Sequence, residues 1–158
     1  MKLTRRDFSL IAAATALSRV PGGLAQKPEH IQEPIFINLD QVKWELDDPK
    51  MGPDSPGIAV LHVDPVTQAT QLLIRNAPGE YIPRHWHSAN ETNTILRGNY
   101  IFECDGKKVE QGPGSFNYIP ARMVHRAWVK EGEPGLDFIT VDGKWDINWV
   151  ADPDRPKK

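Results

Sequence analysis

The chain reads as a single all-β domain, a sandwich or barrel, on three observations. Beyond residue 25, apolar and polar residues alternate with a period of two or gather into short apolar runs rich in Val, Ile and aromatics. The 14 prolines and 12 glycines fall between those runs as punctuation and are not pooled in one linker. No long segment beyond the N-terminus carries a helical period. With 158 residues there is chain for one domain, and 39% apolar with 25% charged residues excludes both a membrane-embedded and a disordered protein. A net charge of −2 leaves no electrostatic footprint for nucleic acid. Cys104 is the only cysteine, which rules out an intramolecular disulfide.

Residues 1–25 read as an address and not as part of the fold. Lys2, Arg5 and Arg6 lead into an Ala-rich apolar segment too short to span a bilayer, and Gly23-Leu24-Ala25 offers a small-residue cleavage site before Gln26. The run Thr4-Arg5-Arg6-Asp7-Phe8-Ser9-Leu10 resembles a twin-arginine export signal. That resemblance implies the twin-arginine machinery as a partner, a periplasmic or secreted location, and no stable membrane insertion after processing. Export in the folded state would let a metal be loaded beforehand.

Residues 26–57 are expected to form an N-terminal arm and the first strands. Ile35–Leu39 has strand composition, Val42–Leu46 alternates, and Asp47–Gly57 holds three prolines and two glycines and must be a loop. Strands are expected at Ile58–Val63, Ala69–Arg75, Asn99–Cys104, Ser115–Ile119, His125–Lys130, Leu136–Val141 and Lys144–Val150. Asp105-Gly106 and Asp142-Gly143 are hairpin signals. Trp145, Ile147 and Trp149 share one face of the last strand and are expected to close one side of the core. Residues 151–158, charged and broken by proline, are expected to be a disordered tail.

The chemistry concentrates between Gly79 and Gly98. His85 and His87 are two apart, which in a strand aims both at one face, and Glu91 follows four residues later. His125 is expected to open a strand on the facing side. Three imidazoles and one carboxylate converging inside a small β protein suit a divalent first-row metal. His30 and His62 lack such support. By parity, Tyr81 and Pro83 would line the interior with His85, and Asn93 and Ile95 would do so with Glu91. Arg84 and Trp86 would face away.

The spacing Gly79-x5-His85-x-His87-x3-Glu91-x6-Gly98 resembles the first motif of the cupin family, and Gly114-x5-Pro120 with His125 resembles the second. Arg122 stands where the second motif has Gly, and Val129 where it has Asn. The resemblance implies a double-stranded β-helix, a jelly-roll barrel, over residues 58–150. It also implies that His85, His87, Glu91 and His125 ligate one divalent transition metal, with Fe(II) or Mn(II) ahead of Zn, Ni or Cu. Four protein ligands would leave one or two positions open. Arg122 and Tyr81 are candidate substrate contacts, the alternatives being a solvated loop arginine and a core aromatic. The function expected is a metal-dependent oxidoreductase, dioxygenase-like, on a small organic molecule. The alternatives are a ligand-sensing cupin without catalysis and a non-redox isomerase or lyase. A homodimer is compatible with small single-domain cupins.

Overall fold

A computed structural model describes residues 33–155. The expected export signal, and most of the polar arm after it, lie outside the described residues. Among the described residues there is no α-helix, only 3₁₀ turns at Leu39–Gln41 and Pro49–Asp54. No helix there is long and apolar enough to cross a membrane.

Eleven strands form two antiparallel sheets. In chain order they are β1 (Glu45–Leu46), β2 (Gly57–Val63), β3 (Thr70–Asn76), β4 (Tyr81–Trp86), β5 (Glu91–Arg97) and β6 (Tyr100–Cys104). β7 (Lys107–Gln111), β8 (Phe116–Ile119), β9 (His125–Val129), β10 (Gly135–Val141) and β11 (Asn148–Trp149) follow. One sheet has the order β1-β2-β3-β10-β5-β8, the other β11-β4-β9-β6-β7. Between β3 and β11 the chain passes repeatedly from one sheet to the other, which is the jelly-roll arrangement.

The six-stranded sheet is apolar on both faces. Leu72, Ile139 and Val141 pack inward with Ile74 and Trp145, whereas Ala59, Leu73 and Leu136 pack outward beneath Val42 and Trp44. The adjacent pair Leu72-Leu73 thus serves two cores, as expected of a strand whose apolar run is continuous and not alternating. Arg75 extends the outer layer, its guanidinium 4.6 Å from the Trp44 ring. Across the interior, Ile95, Tyr100 and Val129 form a third cluster.

Turn chemistry explains two connections. Asp105 (φ 51°) and Gly106 (φ 71°) both take the left-handed conformation, as a two-residue type I′ hairpin between β6 and β7 requires. Gly98 (φ 78°) joins β5 to β6 where a Cβ would lie 2.9 Å from the Pro134 carbonyl oxygen, so left-handedness and close approach both select glycine.

Four expectations are corrected. Ile35–Leu39 is not a strand: Phe36 is 90% exposed and the segment leads into the 3₁₀ turn. Asp142-Gly143 is not a hairpin, because β10 pairs with β3 and β5 whereas β11 pairs with β4 in the other sheet. The expected strand Lys144–Val150 shrinks to Asn148–Trp149, the residues from Lys144 to Ile147 belonging to no strand. The tail is anchored as far as Asp154: Asp152 accepts hydrogen bonds from the Tyr81 hydroxyl (2.9 Å) and the Arg84 amide (3.0 Å), and Arg126 reaches Asp154 at 3.2 Å.

Candidate metal centre

Strand register brings the four predicted residues together. His85 on β4 lies opposite His125 on β9, and their ring centroids are 4.2 Å apart. His125 therefore stands beside His85 in the same sheet and not across from it. His87 follows just past the end of β4, on the same face as His85. Glu91 at the start of β5 is the residue that comes from the opposite sheet. All four are buried, at 4–5% exposure.

Each histidine is oriented by a main-chain carbonyl. His85 Nδ1 lies 2.6 Å from the Pro83 oxygen, His125 Nδ1 lies 3.0 Å from the Met123 oxygen, and His87 Nδ1 bonds the Asp146 oxygen. A carbonyl can only accept, so each Nδ1 carries the proton and each Nε2 presents a lone pair. One nitrogen from each of the three rings falls within 4.8 Å of the others, a group able to hold a metal ion. Glu91 Oε2 lies 2.7 Å from His87 Nε2 and 3.6 Å from His125 Nε2. The same oxygen is buried with no aligned hydrogen-bond donor among the described residues. Lone pairs crowded against an orphaned carboxylate oxygen are repulsive alone and attractive around a cation, so the donor set fits a metal.

The electrostatics agree. Burial, reinforced by the neighbouring His125, pulls His85 down to about 4, and burial also lowers His125. Both are thus neutral and ready to ligate near neutral pH. His87 and Glu91 are coupled. Burial opposes charge on each, but the contact between them prevails, raising His87 and lowering Glu91.

The centre opens on a cavity of about 60 Å³. Ile74, Ile82, Phe102, Ile139, Trp145 and Ile147 supply its apolar walls. Trp145 stacks on the His87 ring (4.8 Å between centroids, 25° between planes) and Trp149 leans on His85 at 5.3 Å. The segment carrying them is pinned to the loop after β4: Asp146 accepts from the Ser88 amide (2.8 Å) and hydroxyl (2.6 Å), and Asp142 accepts from the Asn90 amide (2.9 Å).

Of the two candidate substrate contacts, neither lines this cavity. Tyr81 is turned to the outer face by a register shift between Ile82 and His85, one extra residue of β4 against β9. Pro83 sits in that bulge, where the strand can forgo a ladder amide. Tyr81 therefore packs on Trp128 (6.0 Å), its hydroxyl bonded to Asp152 and Arg126. Ile82 takes the inward place. Arg122 is exposed, and its contribution is backbone: at φ 63° it adopts the left-handed conformation, and its amide donates to the His87 oxygen at 2.8 Å. Cys104 lies opposite His125 in the β6–β9 register but outside the ligand group, and burial raises its thiol. His62 sits on β2 with its Nδ1 2.7 Å from Gln71, away from the centre.

Two interior polar groups escaped notice in the sequence. Asp137 is buried on β10 and lines the same cavity, its carboxyl pushed up to about 7 chiefly by burial. Tyr100 Oη lies 2.7 Å from Asp137 Oδ1 and 3.1 Å from Asn76 Oδ1. One hydroxyl proton cannot serve both acceptors, whereas a neutral Asp137 donating to Tyr100, with Tyr100 donating to Asn76, satisfies both. The signal was present: Asp137 shares parity with Ile139 and Val141 in Leu136–Val141, an acid on an otherwise inward apolar face.

Comparison with known proteins finds similarity over the residues that carry this site. Residues 72–142, which hold all four predicted ligands, match the family model for the cupin domain. A curated relative, DNA damage-repair/toleration protein DRT102 of Arabidopsis thaliana, is 32% identical over 91 residues, covering 56% of this chain and 29% of its own length. The chain thus spans less than a third of that protein. Among solved structures, an RmlC-like cupin protein from Ralstonia eutropha JMP134 superposes with a TM-score of 0.61 at 20% identity, covering 80% of this chain and 78% of its own. The DMSP lyase DddQ from Ruegeria pomeroyi DSS-3 gives 0.57 at 18%, covering 72% and 64%. At these identities the structures speak for the fold alone. The jelly roll described above is the cupin fold, and its residues 72–142 match the cupin domain.

Proposed function

We propose that His85, His87, Glu91 and His125 hold one divalent transition metal, and that the protein is a periplasmic metal-dependent oxidoreductase, dioxygenase-like, acting on a small organic molecule. The observation that carries the metal is the orphaned Glu91 Oε2 facing Nε2 atoms whose ring protons are committed elsewhere. A redox-active ion there would supply activation of O₂ and substrate at positions the protein leaves open. The chain's own residues do the rest. Main-chain carbonyls fix the imidazoles, and Trp145 with Ile147 supplies apolar wall beside them. The small volume of that cavity restricts what reaches the ligands. The periplasmic part of the reading rests on the Thr4–Leu10 signal.

A second reading, a non-redox lyase or isomerase using the metal as a Lewis acid, draws support from Asp137 and Tyr100. A carboxyl held near 7 inside the same cavity can keep and deliver a proton at neutral pH. The presence of a DMSP lyase among the fold neighbours is compatible with it.

Metal analysis after native purification, paired with O₂ uptake across a substrate panel, separates the two. Iron or manganese with substrate-dependent O₂ consumption is the expected result. Stoichiometric zinc and no O₂ uptake would sink the oxidoreductase. Glu91→Ala and His125→Ala should each lower bound metal substantially, and full retention in both would refute the ligand set.

A further inference from the structure

Asn93 shares the inward face of β5 with Glu91 and is 1% exposed. Its amide nitrogen donates to Glu91 Oε1 at 2.7 Å and to Asn117 Oδ1 at 2.9 Å. Asn117 in turn donates to Gln111 Oε1 at 2.7 Å, and Gln111 donates to the Phe116 carbonyl at 2.9 Å. The orientation of every amide in this relay is determined from its ends. A carboxylate and a main-chain carbonyl only accept, so each side chain must present nitrogen where the relay shows it. The two oxygens of Glu91 are thereby made different. Oε1 is taken by Asn93, and Oε2 alone is left facing the histidines.

From this we infer that Asn93 is a positioning residue for the metal-binding carboxylate, braced by Asn117 and Gln111 so that Glu91 offers the metal one oxygen and not two. The inference rests on the ligand set proposed above. A carboxylate held by a single oxygen occupies one coordination position, which keeps a further position for an exogenous ligand. Without Asn93, Glu91 would turn in its pocket, and either loosen its hold or bring both oxygens to bear.

Cobalt(II) is the probe, because its visible absorption reports the ligand field independently of turnover. Metal-free wild type, Asn93→Leu, Asn117→Leu and Glu91→Ala are titrated with Co(II) against a competing chelator, and the spectra of the loaded proteins are recorded. Asn93→Leu is expected to weaken Co(II) binding by about 10- to 100-fold, the usual cost of removing a group that orients a ligand, and to shift the absorption bands. Asn117→Leu, which leaves Asn93 in place but removes its brace, should move both readouts in the same direction by less. Wild-type affinity and spectrum in Asn93→Leu, with Glu91→Ala clearly weakened, overturns the positioning role and leaves the ligand set standing. Unchanged binding in Glu91→Ala overturns both. If Asn93→Leu does not fold, Asn117→Leu decides: a shifted spectrum supports the brace, and a wild-type one overturns it.

Discussion

Replacing Asp137 by Asn should make the protein more stable at neutral and alkaline pH, by an amount that the burial of this carboxyl sets. An ordinary aspartate in the unfolded chain titrates near 3.8, whereas the folded protein holds Asp137 up to about 7. Between those values the native state keeps a proton that the unfolded chain has released. By linkage, stability then falls as pH rises through this window and levels off above it, the reverse of an ion-paired aspartate. At about 1.4 kcal/mol per pKa unit, the whole span corresponds to about 4 kcal/mol. The amide introduced by Asp137→Asn would remain neutral throughout and could still donate to Tyr100. Urea unfolding of the metal-free proteins at pH 5, 6, 7 and 8 measures the effect. The stability of Asp137→Asn relative to wild type should grow by about 3 kcal/mol from pH 5 to 8, nearly all of it below pH 7. A gap of constant size would mean that Asp137 is ionised in the fold across the whole range, and the neutral hydrogen-bond arrangement with Tyr100 would be wrong.

Two further outcomes follow from described geometry. Arg122 sits in the left-handed region without the freedom of glycine, so Arg122→Gly should raise stability by about 1 kcal/mol. A thermal melt a few degrees above wild type checks it, and an unchanged or lower midpoint would show that the turn is not strained. Because a proton and a metal compete for the His87–Glu91 pair, whose His pKa is raised, metal affinity should drop on acidification, approaching tenfold per pH unit below that pKa. Chelator competition from pH 8 to 5.5 tests this, and a flat profile would count against His87 as a ligand.

Much of the architecture was legible because it is written in local signals. The type I′ turn at Asp105-Gly106 needs only two residues able to take positive φ, and the inward run Glu91, Asn93, Ile95 needs only the pleat. What escaped depends on partners distant in sequence. The bulge after Ile82 inverts the parity of Tyr81, and nothing in the β4 residues alone states that β9 will oppose them one residue short. Asp142-Gly143 does change the direction of the chain, but turn chemistry does not say which sheet receives it. The tail reads as unstructured in the sequence because its anchor is a set of polar contacts to remote residues: Asp152 meets the Tyr81 hydroxyl and the Arg84 amide from 71 and 68 residues away. Ile35–Leu39 shows the converse: it has strand composition but pairs with no strand, and Phe36 stays exposed.

The means by which the four proposed ligands are held carries a consequence for how the protein tolerates change. His85, His87 and His125 are each fastened to a carbonyl of the main chain, a group that every residue type possesses. The side chain at 123 can therefore be exchanged without loosening an imidazole, provided the backbone path is kept, whereas Asp146 also pins its own segment through Ser88. Trp145 and Ile147, which line the cavity, contribute no proposed ligand, so this part of the wall can drift and change what is admitted without altering the proposed ligand set. Glu91 has no such insurance, because its orientation depends on the amide of one particular residue. Among homologous or engineered variants, the carboxylate is where mutational robustness runs out first.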